Sequence, residues 1–281
     1  MSDNSDHGRF PFGRPNTERP MRLPTAGPTK VLALGVYPSA FHVAWSPPSS
    51  LDPRSTSDRR RPFIASLAVD VEPVVFWDGQ DPSAEVLLQR WKKAVAFDDD
   101  RHGRVSLGTN GPSGDGLIGN VLDRLGVKPD EVAFTDAVPW FMVKGGKGSQ
   151  GDAIATRFAP LAPTLEVHPG SLPPRPAPRA LVALCAGDRR ASLRREILQS
   201  EAPLVVTLGQ EALAALCAVD DGAGPEGCQR ELAPDGYGQV GSVVIDGRAL
   251  DLLPLVLPGF QRQTKRTEWV EAFETWQAPK P

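Results

Sequence analysis

The chain has 281 residues, enough for one large domain or two small ones. Its 31 Lys+Arg against 34 Asp+Glu leave a net charge of −3, which excludes a protein that coats nucleic acid by bulk charge but allows a local basic groove. Hydrophobic residues at 40% permit a sizeable core, while three cysteines (Cys185, Cys217, Cys228) without C-x-x-C spacing indicate neither a disulfide framework nor a zinc knuckle.

The first residues, MSDNSD, carry no basic or apolar leader pattern, and no run approaches the ~18 apolar residues of a membrane span. A soluble, cytoplasmic protein with no membrane partner is expected. Residues 1–28 are polar, Pro-rich and aperiodic, and read as a disordered arm; 29–281 read as a single domain. The first buried-strand run is VLALGVYP, between Lys30 and Ser39. A loop from Ser46 to Pro62 ends in Arg59, Arg60 and Arg61. Phe63–Val69 and Pro73–Trp77 alternate like an inserted β-hairpin, and Ser83–Phe97 has helical spacing. Helix-like Asp115–Gly126 leads into a second strand, Val132–Val138. After a Pro-rich stretch around His168–Arg179, a third strand, LVVTLG from Leu204, feeds the helix-like Glu211–Cys217. The fourth, Leu250–Gly259, precedes a helix carrying Trp269, Phe273 and Trp276.

Strands alternating with helices predict an α/β three-layer αβα sandwich around a four-stranded parallel sheet. Ligands of such sheets sit at the carboxyl ends of the strands, here Pro38, Asp136, Gly209 and Leu257.

The order and spacing of these ends resemble the uracil-DNA glycosylase superfamily. GVYP (Gly35–Pro38) matches its G-x-x-P loop, and the stretch from Gly108 to Trp140 matches its Gly-rich turn, helix and base-reading strand. VVTLGQEAL (Val205–Leu213) matches the third strand and helix, and LPGFQ (Leu257–Gln261) stands where the family has H-P-S. The resemblance spans roughly Lys30 to Trp276 and implies a base-flipping DNA glycosylase that leaves an abasic site, with DNA as partner, no obligate protein partner and no cofactor. Three cysteines cannot hold the iron–sulfur cluster of some members, and four scattered histidines offer no metal-binding spacing.

The departures matter. Val36 and Tyr37 occupy the positions where the family places its catalytic Asp, Asn or Glu, and Leu257 replaces its histidine. Relocated catalytic candidates are Asp78 after the inserted hairpin, Asp115 in the Gly-rich turn, and His42 just past the G-x-x-P loop. Asp136 stands where the family's asparagine reads uracil. An ionised aspartate only accepts hydrogen bonds, which favours the N4 amino group of a cytosine-like base. Ser39 replaces the tyrosine that blocks C5 substituents and, with Tyr37, completes a base-binding set. The resemblance therefore implies excision of a 5-modified cytosine (hydroxymethylated or glucosylated, as in phage DNA) and an antiphage role. The alternatives are repair of uracil or another deaminated base, and non-catalytic binding of abasic or single-stranded DNA. Phe260 is placed to wedge into the base stack, with Gln261, Arg262 and Lys265 at the DNA backbone. GDGLIG (Gly114–Gly119) also fits a dinucleotide fingerprint, but the polar segment before it argues against the required strand.

Overall fold

The computed structural model describes residues 18–52, 63–80, 82–167, 172–221, 237–257 and 268–277. Its centre is a mixed five-stranded sheet in the order β5-β1-β6-β8-β7. Strands β1 (Val31–Gly35), β5 (Val132–Asp136) and β6 (Leu204–Leu208) are buried along their whole length, which is why each reads as a continuous apolar run. β1 pairs in parallel with β5 on one side and β6 on the other, and β6 pairs in parallel with β8 (Arg248–Leu255). The edge strand β7 (Gly241–Ile245) is antiparallel to β8, so the sheet has five strands rather than the expected four. Asp246 and Gly247 join them, both with positive φ (49° and 78°), the backbone of a tight hairpin turn.

A separate antiparallel sheet has the order β3-β2-β4, formed by β2 (Ala40–Ser46), β3 (Ala65–Val71) and β4 (Arg104–Leu107). This corrects the expected hairpin. The partner of β3 is β2, whereas Pro73–Trp77 is not a strand; Phe76 there has φ 54°, outside the extended region. β4 lies in the polar stretch RHGRVSLGTNGPS, and three of its four residues are exposed, so it carries no buried-strand signal. Trp45 of β2 is fully buried, and its indole N–H donates to the His102 carbonyl at 2.8 Å.

Helix α1 (Ala84–Ala94) starts at Ser83, whose hydroxyl accepts from the Val86 N–H. The short α2 (Asp99–His102) precedes β4. Helix α3 (Pro112–Leu117) runs through a π turn at Ile118–Leu122 into α4 (Asp123–Leu125). The short α5 (Gln150–Ala153) likewise continues into a π turn at Ile154–Phe158. Helices α6 (Pro178–Ala186), α7 (Arg190–Gln199) and α8 (Gln210–Val219) follow, and α9 (Glu268–Gln277) ends the described chain. Two clusters flank the central sheet. One joins Phe134, Val206 and Leu253 to Leu117, Trp269 and Phe273; the other joins Leu32, Val205 and Leu252 to Leu193, Ile197 and Leu216. No helix among the described residues is long and apolar enough to cross a membrane.

Two further expectations change. Residues 18–26, read as part of an unpacked arm, bond to the sheet edge: Arg22 and Phe134 exchange backbone hydrogen bonds of 2.9 and 2.8 Å, and the Arg22 guanidinium lies 4.3 Å from the Phe134 ring centre. Cys217 is disulfide-bonded, whereas Cys185 is free and buried.

Within GDGLIG, Gly114 has a packing role. A Cβ on Gly114 would lie 2.4 Å from the Phe76 and Trp77 carbonyl oxygens, while one on Gly119 would meet nothing within 4 Å. Gly114 thus lets α3 touch the 76–77 backbone, and Gly119 has no such task. Gly114→Ala is expected to destabilise the fold by about 1–3 kcal/mol, and Gly119→Ala to leave stability unchanged or raise it by about 0.5–1 kcal/mol. Denaturant midpoints of the two variants check this; equal losses would contradict it.

Candidate functional site

The carboxyl ends of the four parallel-paired strands line one cavity of about 780 Å³, through Gly35, Asp136, Leu208 and Leu257. Its other walls come from the 36–42 loop and start of β2, the 72–76 turn, the 109–113 turn and the 144–150 loop.

Asp136 ends β5 at the cavity floor and is only 3% exposed. Its Oδ2 is buried without a hydrogen-bond partner. The fold crowds it deliberately: a Cβ on Gly35, directly across the β1–β5 ladder, would lie 2.2 Å from Asp136 Oδ1 and 2.7 Å from Phe76 Cζ. Burial, and then the Glu72 carboxyl, raise Asp136 well above the usual carboxylate range, against the pull of Arg189. These causes favour the neutral acid over the acceptor-only carboxylate expected from the sequence. A neutral acid offers one donor and one acceptor.

Behind Asp136 sits a buried cation. Arg189 pairs with Glu196 at 2.7 Å and its Nε donates to the Ala137 carbonyl at 3.3 Å; the Thr135 hydroxyl donates to the same Glu196 oxygen at 2.6 Å. The network fixes the backbone on both sides of Asp136.

Glu72 is the second acidic group, and sequence reasoning missed it. It follows β3, is 4% exposed, and accepts from the Ser39 N–H at 2.8 Å. The Phe76 and Trp77 N–H groups also bond it and lower its pKa, but burial dominates and pushes it up to about 7. A charged residue stranded in the apolar run VDVEPVVFW was the available signal. Arg19 holds the same corner by donating to the Glu72 carbonyl oxygen.

Aromatic rings form the apolar side. Phe76 packs on Phe134 with ring centres 6.2 Å apart. Its positive φ is rare for a bulky side chain and marks a backbone held in a strained conformation beside the cavity. Tyr37 lies under Arg175, 5.6 Å from guanidinium to ring centre, and Arg175 pairs with Glu211 at 2.6 Å.

His42 lines the cavity, yet its ring is engaged: it bonds the Ala40 backbone, and its Nε2 lies 2.9 Å from Gln150 Nε2. Burial lowers its pKa, so the ring is held neutral. Asn110 brackets its backbone, accepting from the His42 N–H at 2.7 Å and donating to the His42 carbonyl at 2.9 Å.

The cavity thus brings together Asp136, Tyr37, Ser39 and His42 among the sequence candidates. Asp78 and Asp115 do not line it. Asp78 Oδ1 accepts from the Gln80 N–H at 2.9 Å, a turn contact, and Asp115 is an exposed residue of α3. Phe260, Gln261, Arg262 and Lys265 lie outside the described residues, as do Arg59–Arg61. No group of three or more metal-ligating side chains occurs among the described residues.

No protein-family model matches the chain, and no curated protein matches it in sequence. The geometry therefore carries the assignment of the site. Its signature is a pH dependence of stability with an unusual sign. Glu72 binds its proton more tightly folded than unfolded, so its contribution is complete below about 4.5 and is lost as pH rises to about 7. Neutral Asp136 acts in the same direction, and His42 in the opposite one. Comparing wild type with Glu72→Gln reads Glu72 together with its hold on Asp136, which acts in the same direction. Between pH 4.5 and 7 the stability difference should shift in favour of the variant by roughly 3 kcal/mol in total. Denaturation across this pH range checks it; parallel stability curves would show that Glu72 titrates normally.

Proposed function

We propose that this protein is a monofunctional DNA glycosylase with a uracil-DNA-glycosylase-like αβα core around four parallel strands, and that it excises a 5-modified cytosine. The observation that carries the reading is the pair of buried carboxyls, Asp136 and Glu72, on the floor of a strand-end cavity walled by Phe76 and Tyr37.

A planar base entering beside Phe76 places its Watson–Crick edge at Asp136. The neutral acid donates to cytosine N3 and accepts from the N4 amino group, which satisfies the orphaned oxygen. The same acid complements uracil with the roles exchanged, so Asp136 alone does not separate the two bases. The preference for a 5-substituent rests instead on space. At about 780 Å³ the cavity falls in the range of drug-sized ligands, well beyond a bare pyrimidine. Ser39, Thr109, Ser113 and Gln150 give its walls hydroxyl and amide groups suited to a hydroxymethyl or glucosyl extension. Opening of phage-modified DNA, as an antiphage defence, is the biological setting that fits such a substrate.

Glu72 supplies what the G-x-x-P loop lacks. Val36 and Tyr37 carry no carboxylate, but Glu72 reaches the same loop from the end of β3 and is tied to it through the Ser39 N–H. Three backbone donors leave a carboxylate room for one more, a water. The C1′–N1 bond breaks, its electron pair leaves with the base, and hydrogen bonding from Asp136 to N3 eases that departure. Ionised Glu72 stabilises the sugar cation and takes the proton of the water that adds to C1′, leaving an abasic site. In this division Asp136 takes the acid role and Glu72 the base role.

Excision is expected to rise with pH through about 7 and to fall again as Asp136 ionises, the two limbs belonging to the coupled pair. Glu72→Gln should lower the rate about 10²- to 10⁴-fold. Asp136→Asn, which keeps a donor and an acceptor at every pH, should lose the alkaline limb. Ser39→Tyr should close the site to glucosylated cytosine first. Oligonucleotides carrying uracil, hypoxanthine, 5-hydroxymethylcytosine or glucosylated 5-hydroxymethylcytosine, treated with protein and then alkali, report all four. Excision confined to uracil or hypoxanthine would assign repair instead. Binding of abasic or single-stranded DNA without excision of any base would make the protein a non-catalytic binder.

A further inference from the structure

Charge in the cavity is arranged in two layers. The floor is acidic, with Asp136 and Glu72 buried and Glu211 neutralised by Arg175. The lip is the 144–150 loop, KGGKGSQ, which carries two exposed lysines, Lys144 and Lys147. Neither is in an ion pair among the described residues. This sets them apart from Arg194 on α7, which already bonds Asp221 and Asp246.

The loop is built to hold this shape. Gly146 and Gly148 have φ of 94° and 77°, and an added Cβ at either meets nothing within 4 Å, so these glycines serve the turn and leave the lip open. The Gly148 N–H donates to Asp152 Oδ2 at 2.8 Å, the Ser149 N–H to the Gly146 carbonyl at 3.1 Å, and the Gly151 N–H to the Lys144 carbonyl at 3.2 Å. These three donors are committed inside the loop and are not offered to an anion as in a phosphate-binding nest. The charged groups of the lip are the two ammonium groups. The Gln150–His42 contact at 2.9 Å ties the loop to the cavity wall.

We propose that Lys144 and Lys147 bind the DNA phosphates flanking the nucleotide whose base occupies the cavity. The inference rests on the nucleotide reading of the site given above. A nucleotide has an uncharged, hydrogen-bonding base at one end and phosphates at the other, the same order as acidic floor and cationic lip. A glucosyl group alone has no charge for two lysines unpaired among the described residues to meet.

The test uses the full chain and a duplex with a tetrahydrofuran abasic site, a probe that engages the lip without a base on the floor. Binding is measured from about 50 to 200 mM KCl, where phosphate contacts dominate the salt response. Each of Lys144→Ala and Lys147→Ala should flatten the log–log salt slope by about 1, and the double variant by about 2, with affinity lowered. Lys144→Arg with Lys147→Arg should restore both. Asp136→Asn should leave the slope unchanged. A double alanine variant with wild-type slope and affinity, or a wild type that does not bind this duplex, would overturn the proposal. A lysine-dependent slope in a protein that excises no modified cytosine would uphold the phosphate contacts while removing the base reading.

Discussion

Two carboxyl groups buried side by side are expensive to fold around. Asp136 and Glu72 each lose solvent, and the Glu72 carboxyl makes ionisation of Asp136 harder. An isolated charge in such a place is intolerable, so the groups hold protons, gather hydrogen bonds, or both. Much of the architecture around the strand ends is the response to this constraint. The Ser39, Phe76 and Trp77 N–H groups converge on Glu72, and Arg19 from the chain's opening segment bonds its carbonyl. Arg189 and Glu196 brace the peptide groups around Asp136 from the opposite side. One oxygen of Asp136 is nevertheless left over. Trp77 Nε1, Arg175 Nε and Thr207 Oγ1 are also buried without a partner, but Asp136 is the acid among them and it lines the cavity, where an entering donor can meet it.

The backbone bears the same stamp. Gly35 has no room for a side chain because Asp136 and Phe76 already fill the space, and Phe76 adopts a positive φ that a bulky residue avoids. Gly114 lets α3 press against the 76–77 backbone. Three close approaches therefore fix one aromatic ring and one carboxyl against each other. Such local strain is retained only where the surrounding structure over-determines it, as binding sites do.

What could be read in the sequence follows from burial. β1, β5 and β6 are buried from end to end, so their apolar runs announced both the strands and their carboxyl ends. Asp136 was legible because it terminates such a run. Of the second sheet only β3 was legible, within Phe63–Val69; β2 is only partly buried and the exposed residues of β4 look like loop. The β7–β8 hairpin carried the signal Asp246-Gly247 but flanks a sequence without clean alternation. Glu72 was missed because its role depends on a sheet that sequence periodicity revealed only at β3. Asp78 looked equivalent in sequence, yet it closes a turn away from the cavity, a distinction of direction that no spacing encodes.

The proposed chemistry depends most on the protonation of the cavity floor. Carbon-13 NMR of the side-chain carboxyls, assigned with Asp136→Asn and Glu72→Gln, measures it directly as a function of pH. The expected result is a Glu72 signal titrating near 7 and an Asp136 signal still that of the protonated acid well above the ordinary aspartate range. Two signals that both complete their titration below pH 5 would mean the floor is an ordinary, solvated pair of carboxylates, and the division of acid and base roles between them would fall.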